Sequence, residues 1–305
     1  MNGTDTHFKD KNVIITGGSS GIGKSTAKLL ARNGANIFIL ARDREKLNQA
    51  IEEIRAEGDS QNQSYRALPA DVTSWKAVEA AVTDIVEASD APHILINSAG
   101  IVHPGHFQEL PLSTFHHQMD VNYFGTLHAV KAVLPYMMAQ GEGHIVNISS
   151  FGGVFGAFGY SAYGASKFAV CGFTEVLRAE LHPHDIAVSL VIPPDTDTPQ
   201  LEGEEKTRPL ETKLMSGTSR PEKLERLSET IAYGLAKWVL SDNGAPMKPD
   251  RVAETIVRGI QRRRYLIFPD TMLMVAYYLR GFLLPVANWA QDQLVEVARR
   301  QRKAQ

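Results

Sequence analysis

Residues 13–23, VIITGGSSGIG, decide the fold of this chain. Residues 13–16 are typical of a buried strand, and the glycine-rich turn after them opens a predicted helix over residues 21–33. Glycines in such a turn let backbone N–H groups approach a phosphate at the helix N-terminus, and the serines add hydroxyl donors. The motif also fits a plain tight turn, but its place after the first strand favours a bound dinucleotide. The predicted contacts are Gly17, Ser19, Ser20, Gly21, Ile22 and Gly23.

The chain up to about residue 200 alternates apolar runs with amphipathic segments of helical length. Predicted strands cover residues 36–41, 65–70, 93–97, 144–149 and 187–192, and predicted helices cover residues 43–57, 74–88, 113–139 and 161–181. Apolar runs without polar alternation, separated by helices, indicate a parallel sheet that is covered on both faces. We therefore predict one α/β domain over residues 1–305, built on a doubly wound parallel sheet (a Rossmann fold) of about seven strands.

Two segments depart from this alternation, so the predicted core covers about residues 10–200 and 250–268. Residues 195–249 are polar and directly follow a strand, which predicts a substrate lid. Residues 265–305 form a predicted C-terminal extension whose apolar run, 271–279, is too short to span a bilayer. Basic residues at both ends favour contact of residues 265–303 with an anionic membrane surface. Packing against the protein body or at a subunit interface is the alternative.

Composition excludes several classes of protein. The 32 Lys and Arg residues against 34 Asp and Glu give a net charge of −2, which argues against a nucleic-acid partner. Cys171 is the one cysteine, which excludes an internal disulfide framework and favours a reducing compartment. Residues 1–12 lack the apolar core of a signal peptide, so we predict a cytoplasmic protein, peripheral on the cytosolic face of a membrane if it contacts one. No metal is predicted, because the histidine pairs at 116–117 and 182–184 lack further ligands nearby.

The end of the second predicted strand indicates which dinucleotide binds. An NAD-selective site usually places an acidic residue there to accept a hydrogen bond from the ribose 2′-OH. Here the neutral Ala41 is followed by Arg42 and, one turn later, by Lys46, and cations suit the 2′-phosphate of NADPH. If the strand ends two residues later, Asp43 would be the acidic residue at its end, which would favour NAD instead. Asp71, after the third strand, is predicted to accept from the adenine amino group, to N-cap the next helix, or both.

Residues 163–167, YGASK, predict proton-transfer chemistry. Tyr163 and Lys167 are four residues apart, so a helix places them on one face. A phenol has an ordinary pKa of about 10, and a neighbouring ammonium is expected to lower that pKa toward a useful range. Ser150 ends a predicted strand, where its hydroxyl can orient a substrate oxygen toward Tyr163. Asn122 is predicted to hold a water behind Lys167 as a proton path.

From about Asp10 to Thr198 these motifs, together with residues 97–100 (NSAG), resemble in kind and order those of the short-chain dehydrogenase/reductase family. The resemblance implies a catalytic tetrad of Asn122, Ser150, Tyr163 and Lys167 that works with NADPH/NADP+. It also implies cofactor contacts beyond the glycine-rich turn, at Arg42, Lys46, Asp71, Val72, Asn97, Tyr163, Lys167, Pro193, Thr196 and Thr198. The chain departs from the family at Ser98, which replaces a common second asparagine, and at Pro194, which replaces a common glycine.

Residues 193–199, PPDTDTP, resemble members of that family that reduce the ketone of a long-chain sphingoid base, which implies this substrate. Such a base carries an ammonium beside its ketone. Nearby carboxylates can attract that ammonium, or they can form a solvated acidic loop; they are Asp195, Asp197, Glu202, Glu204 and Glu205. Alternative functions are a reductase for a 3-oxoacyl thioester or a steroid ketone, and a scaffold that binds NADPH without catalysis. A homo-oligomer is predicted.

Overall fold

The computed structural model describes residues 6–58, 62–215 and 246–302. The strands in these ranges are β1 (Asn12–Thr16), β2 (Asn36–Ala41), β3 (Tyr65–Pro69), β4 (Ile94–Asn97), β5 (Gly143–Ile148), β6 (Ile186–Val191) and β7 (Leu266–Ile267). They form one seven-stranded sheet in the order β3-β2-β1-β4-β5-β6-β7, in which every neighbouring pair is parallel. The predicted parallel α/β fold is therefore confirmed.

Helices cover both faces of this sheet. Those in the described residues are α1 (Gly21–Arg32), α2 (Arg44–Arg55), α3 (Trp75–Ser89), α4 (Leu112–Met119), α5 (Gly125–Gln140), α6 (Ser161–Leu181), α7 (Pro199–Glu205), α8 (Leu210–Met215), α9 (Pro249–Gln261), α10 (Thr271–Tyr278) and α11 (Arg280–Arg302). One apolar cluster joins α1, α2 and α9 to one face, and a second joins α3, α5 and α6 to the other. Because both faces are covered, β1 is buried at every position.

The strand order positions the functional site. β1 lies between β2 and β4, so the chain winds outward in both directions from this point. Ligands of such sheets bind beyond the carboxyl ends of the strands where the winding reverses. β1, β4 and β5 end at Thr16, Asn97 and Ile148. The glycine-rich turn, residues 98–100 and Ser150 therefore come together at one edge of the sheet.

The helix predicted over residues 113–139 is interrupted in the structure. A π-helical turn, Asp120–Phe124, joins α4 to α5. A π turn inserts an extra residue into the helix and is frequent at functional sites. Asn122 lies in this turn and is buried. Apolar periodicity alone does not reveal such a local change in winding, so the sequence prediction missed it.

The predicted lid is described only in part. Thr196 and Met247 form an isolated parallel bridge. The Asp197 N–H donates to the Met247 carbonyl and the Met247 N–H donates to the Asp195 carbonyl, both at 2.9 Å. The first part of the predicted lid, residues 195–249, contains α7 and α8. Residues 216–245, most of the predicted lid, lie outside the described residues, and the division into core, lid and extension stays a prediction.

The C-terminal extension packs on the protein along one side. Ala276 of α10 and Leu283 and Ala287 of α11 belong to an apolar cluster with residues after β5 and at the end of β6. Further along α11, Leu294 and Ala298 pack against α8. No helix in the described residues combines the length and hydrophobicity needed to cross a membrane.

Candidate active site

The glycine-rich turn between β1 and α1 requires glycine for steric reasons. Gly17 has φ of +67°, and a Cβ there would lie 2.7 Å from the Ala99 nitrogen. A Cβ on Gly23 would lie 2.5 Å from the Gly17 carbonyl oxygen. Both contacts are with backbone, which cannot move aside like a flexible side chain. The turn and the start of α1 are therefore held tightly against residues 98–99.

The N-terminus of α1 suits an anion. Its N-cap residue, Ser20, makes no capping hydrogen bond with its side chain in the described structure, and the first turn holds no acidic residue. The first backbone N–H groups of a helix carry a partial positive charge and need acceptors. Ser20 and Gly21 line a cavity of about 180 Å³ at this point. The residues present therefore fit a dinucleotide whose phosphates would be held by this turn.

This first cavity brings together most of the predicted site. Predicted residues that line it are Gly17, Ser20, Gly21, Ile22, Ser150, Tyr163, Lys167, Pro193, Thr196 and Thr198. Those that do not line it are Ser19, Gly23, Arg42, Lys46, Asp71, Val72, Asn97 and Asn122. The second group comprises residues of the turn, residues at the ends of β2 and β3, and two buried asparagines.

β2 ends at the neutral residue Ala41 and not at Asp43. The Asp43 carboxylate N-caps α2 by accepting from the N–H groups of Glu45 and Lys46, both at 3.1 Å. These bonds hold the pKa of Asp43 below its ordinary value. Arg42 and Lys46 are exposed. The Asp43 carboxylate is thus held by the N-terminus of α2 and by Lys46, whose Nζ lies 3.7 Å from Asp43 Oδ2.

Asp71 forms a local turn. Its Oδ1 atom accepts from the Thr73 N–H and the Thr73 hydroxyl, both at 2.9 Å. Ser74, not Asp71, N-caps α3, so the capping alternative for Asp71 is wrong. The carbonyl of Val72, the next residue, bonds His128 Nδ1 at 2.8 Å.

The Asn97 side chain faces the protein interior. It is buried, and its Nδ2 donates to Asn147 Oδ1 at 2.9 Å. Asn147 in turn donates to the Thr174 hydroxyl at 2.9 Å. This buried polar chain ties β4 and β5 to α6. The Asn97 side chain is therefore engaged inside the protein, and its contact with the cofactor stays a prediction.

Tyr163 and Lys167 lie on one face of α6, as their spacing predicts. Lys167 is 6% exposed, and its Nζ donates to the Ile148 carbonyl at 3.0 Å. The same Nζ lies 5.8 Å from the centroid of the Tyr163 ring. The Ser150 hydroxyl accepts from the Gly152 N–H at 3.1 Å, which fixes it beside the phenol. Three polar groups that can act on a carbonyl oxygen or its protons thus surround one space.

The pKa values differ from the sequence expectation. Burial raises the pKa of the Tyr163 phenol; a hydrogen bond with Ser150 opposes the rise, and the carboxylates of Glu204 and Asp195 add to it. Burial lowers the pKa of Lys167 to about 8. The sequence predicted a lowered Tyr163 pKa, whereas in this structure burial is the largest effect and the pKa is raised. A phenol with a raised pKa is protonated at neutral pH and begins as an acid.

Asn122 contacts the loop after β4. Its Oδ1 accepts from the Ile101 N–H at 2.8 Å, and its Nδ2 donates to the Ile101 carbonyl at 2.9 Å and to the Ser166 hydroxyl at 2.8 Å. A Cβ on Gly100 would lie 3.3 Å from Asn122 Oδ1 and 3.5 Å from Lys167 Nζ. Asn122 therefore positions the loop beside Lys167. Its role in holding a water stays a prediction.

A second cavity of about 110 Å³ adjoins the first. The two share Ser150, Tyr163, Asp195 and Glu204. Other residues that line the second cavity are Phe151, Gly152, Ala157, Tyr160, Arg208 and Thr212. Because Ser150 and Tyr163 face both cavities, a molecule in the second can present a carbonyl group to the first.

Arg208 is a site residue that the sequence reasoning missed. Its side chain is 3% exposed and bonds three carboxylates. Its Nη2 lies 2.6 Å from Glu204 Oε1 and 3.0 Å from Asp195 Oδ2, and its Nη1 bonds Glu205. The spacing of Glu204 and Arg208, four apart at the end of a helix, was the available signal. The predicted acidic loop is thus partly neutralised.

The geometry so far defines a nucleotide-dependent oxidoreductase, and comparison with known proteins agrees. The profile described as short chain dehydrogenase matches residues 11–209. The chain belongs to the short-chain dehydrogenase family. A curated relative, the 3-dehydrosphinganine reductase of Danio rerio, is 40% identical over 220 residues, which are 71% of this chain and 66% of that protein. The chain thus aligns with about two thirds of that relative's length.

Two solved structures resemble most of this chain. A short-chain dehydrogenase/reductase from Burkholderia phymatum in complex with NAD superposes with a TM-score of 0.73 at 25% identity, covering 92% of this chain and 95% of that one. A short-chain dehydrogenase from Sphingobium yanoikuyae in complex with NADPH has a TM-score of 0.69 at 26% identity, covering 93% and 95%. The predicted family and enzyme class are confirmed, with a nucleotide cofactor.

Proposed function

We propose that this chain uses NADPH to reduce the keto group of 3-ketodihydrosphingosine, giving dihydrosphingosine for sphingolipid synthesis. The observation that carries the proposal is the meeting of Ser150, Tyr163 and Lys167 in a cavity that opens into a second, acidic one. The sequence resemblance at residues 193–199 and the name of the Danio rerio relative support the same substrate. A sphingoid base brings a ketone and an ammonium on adjacent carbons, which suits two adjoining cavities.

The residues divide the work of carbonyl reduction between them. Bound NADPH supplies a hydride for the carbonyl carbon. Ser150 donates a hydrogen bond to the carbonyl oxygen and holds it toward Tyr163. Tyr163 gives its phenolic proton to that oxygen, and its raised pKa means that the proton is present at neutral pH. Lys167 stabilises the phenolate that remains, and Asn122 positions the loop beside Lys167.

The preference for NADPH rests on the end of β2. Arg42 and Lys46 are exposed cations there, and Ala41 offers no carboxylate to a ribose hydroxyl. A guanidinium binds phosphate oxygens through parallel hydrogen bonds, so Arg42 suits a 2′-phosphate. The Asp43 carboxylate is held by the N-terminus of α2. Asp71, through its second oxygen, is the proposed acceptor for the adenine amino group.

We further propose that the enzyme meets its lipid substrate at a membrane surface. The outer side of α10 and α11 exposes large apolar side chains, and exposed arginines stand at residues 262–264 and 299–300. Apolar and aromatic side chains beside cations suit an anionic bilayer surface. A homo-oligomer stays a prediction.

The direct test is consumption of NADPH with 3-ketodihydrosphingosine, beside a 3-oxoacyl thioester, a steroid ketone and NADH as competing arms. We expect turnover to be fastest with NADPH and the sphingoid ketone, with dihydrosphingosine as product. Tyr163→Phe should reduce kcat by about 10²- to 10⁴-fold while NADPH still binds. Faster turnover of a competing ketone would reject this substrate. Equal inactivity of wild type and Tyr163→Phe on every ketone would favour a binding scaffold.

A further inference from the structure

Glu204 lies between the two cavities. Its side chain is only 9% exposed, yet it lines both cavities, beside Ser150 and Tyr163. Its Oε1 atom accepts from the Tyr160 hydroxyl and from Arg208 Nε at 2.9 Å and Nη2 at 2.6 Å. In the described structure, all of the hydrogen bonds to this carboxylate end on Oε1. The other oxygen, Oε2, accepts no hydrogen bond in the described structure, so it is available to a ligand in the cavities that Glu204 lines.

The charges around Glu204 do not balance. Arg208 is the buried cation of the cluster, and it faces the carboxylates of Asp195, Glu204 and Glu205. Asp195 lines both cavities and its side chain is 45% exposed, while Glu205 lines neither. Asp195 and Glu204 therefore line the second cavity with one guanidinium, that of Arg208, whereas the Lys167 ammonium lines only the first cavity. A cation is favoured in the second cavity.

The proposed substrate has such a cation next to its ketone, and this inference rests on the proposed function. We propose that Glu204 and Asp195 form the recognition site for the ammonium of an α-amino ketone, and that Arg208 and Tyr160 hold the two carboxylates in place. The substrate would then be oriented by two contacts: its ketone with Ser150 and Tyr163, and its ammonium with the two carboxylates. The site selects amino ketones over uncharged ketones of the same length.

A purely structural role for the cluster predicts different behaviour. If Arg208 served only to join α7 to the loop after β6, loss of one carboxylate would weaken the reduction of every ketone equally. A recognition site instead makes the effect depend on the substrate's charge. The comparison of an amino ketone with its analogue lacking the amino group therefore separates the two roles.

The experiment measures kcat and KM of Glu204→Gln and Asp195→Asn with 3-ketodihydrosphingosine and with the same 1-hydroxy-3-ketone lacking the amino group. We expect KM for the amino ketone to rise about 10- to 100-fold in each variant, because a charge-assisted hydrogen bond is lost. KM for the analogue should change less than about threefold. Glu202→Gln is the matched control, because Glu202 is exposed on the same helix and lines neither cavity.

The outcomes distinguish this inference from the proposed function. Equal changes with both ketones would overturn the recognition site while leaving the reductase intact. If wild type reduces neither ketone, the proposed function itself fails. NADPH binding followed by fluorescence reports whether each variant is folded. If Glu204→Gln does not fold, the half-exposed Asp195 carries the test alone, and an unchanged KM in Asp195→Asn then rejects the site.

Discussion

Lys167 is a buried charged residue that lines the first cavity. Burial lowers its pKa to about 8 from an ordinary 10.5, so the folded protein holds this proton less tightly than the unfolded chain does. The protonated lysine therefore costs stability at neutral pH, and the cost disappears as the pH rises from about 8 toward 10.5. The Ile148 carbonyl at 3.0 Å compensates only in part. A cation held at this cost is typical of a functional site.

Lys167→Met is predicted to stabilise the protein and to inactivate it. At pH 7 its free energy of unfolding should exceed that of wild type by about 1–3 kcal/mol, because a buried charge is replaced by an apolar chain. The difference should shrink at pH 9.5, where wild type has lost the proton. Activity should fall at least about 100-fold. Urea denaturation at both pH values checks this; a less stable variant at pH 7 would show that the bond to Ile148 outweighs desolvation.

At the scale of elements, the start of α1 depends on a close approach between backbones. A Cβ on Gly23 would meet the Gly17 carbonyl at 2.5 Å, whereas a Cβ on Gly172, exposed in α6, would meet nothing within 4 Å. Gly23→Ala should lower the free energy of unfolding by about 1–3 kcal/mol and weaken NADPH binding at least about tenfold. Gly172→Ala should add about 0.5–1 kcal/mol, because alanine favours helix.

Urea denaturation and NADPH fluorescence titration measure both variants. The paired design matters because both replacements are Gly→Ala within α-helices. A Gly23→Ala protein that binds NADPH like wild type would show that the turn can shift without losing its function. That result would contradict the tight contact between the turn and the N-terminus of α1.

Apolar pattern and glycine spacing predicted the elements that depend on local sequence. α6 begins and ends where the sequence indicated, at Ser161 and Leu181, and β2 ends at Ala41. The π turn at Asp120–Phe124 was missed because one inserted residue barely changes apolar periodicity. The pairing of Arg208 with Asp195 joins elements that only the folded chain brings together. The direction of the Tyr163 pKa shift failed for the same reason, since burial is a property of the fold.

At the scale of the whole molecule, α10 and α11 have two different sides. Their buried side packs on the body, and α11 also contacts the loop before α6, where the Gln291 side chain accepts from the Phe158 N–H at 2.8 Å. Their outer side exposes Tyr278 (65%) and Phe282 (83%). The sequence left packing and membrane contact as alternatives. The structure shows that one side of α10 and α11 packs on the body. Their outer side is exposed and is the side proposed above to contact lipid.

The membrane proposal predicts that the double variant Tyr278→Ser/Phe282→Ser loses most of its binding to vesicles. Full-length wild type should sediment with phosphatidylserine-containing vesicles, less with pure phosphatidylcholine and less at high salt. The double variant should bind several-fold less and keep its turnover of detergent-dispersed substrate, because both side chains are exposed. Leu112→Ser, which removes an exposed apolar residue on α4 (70% exposed), is the matched control.

Two results would contradict this placement. Equal sedimentation of wild type and the double variant would show that these side chains make no lipid contact. A change from dimer to monomer in light scattering, without a change in sedimentation, would assign the same side to a subunit interface. Shortening the chain before α10 is a poorer test, because Ala276, Leu283 and Ala287 fill an apolar cluster beneath it. Their removal would expose that cluster and alter the second cavity whatever the outer side contacts.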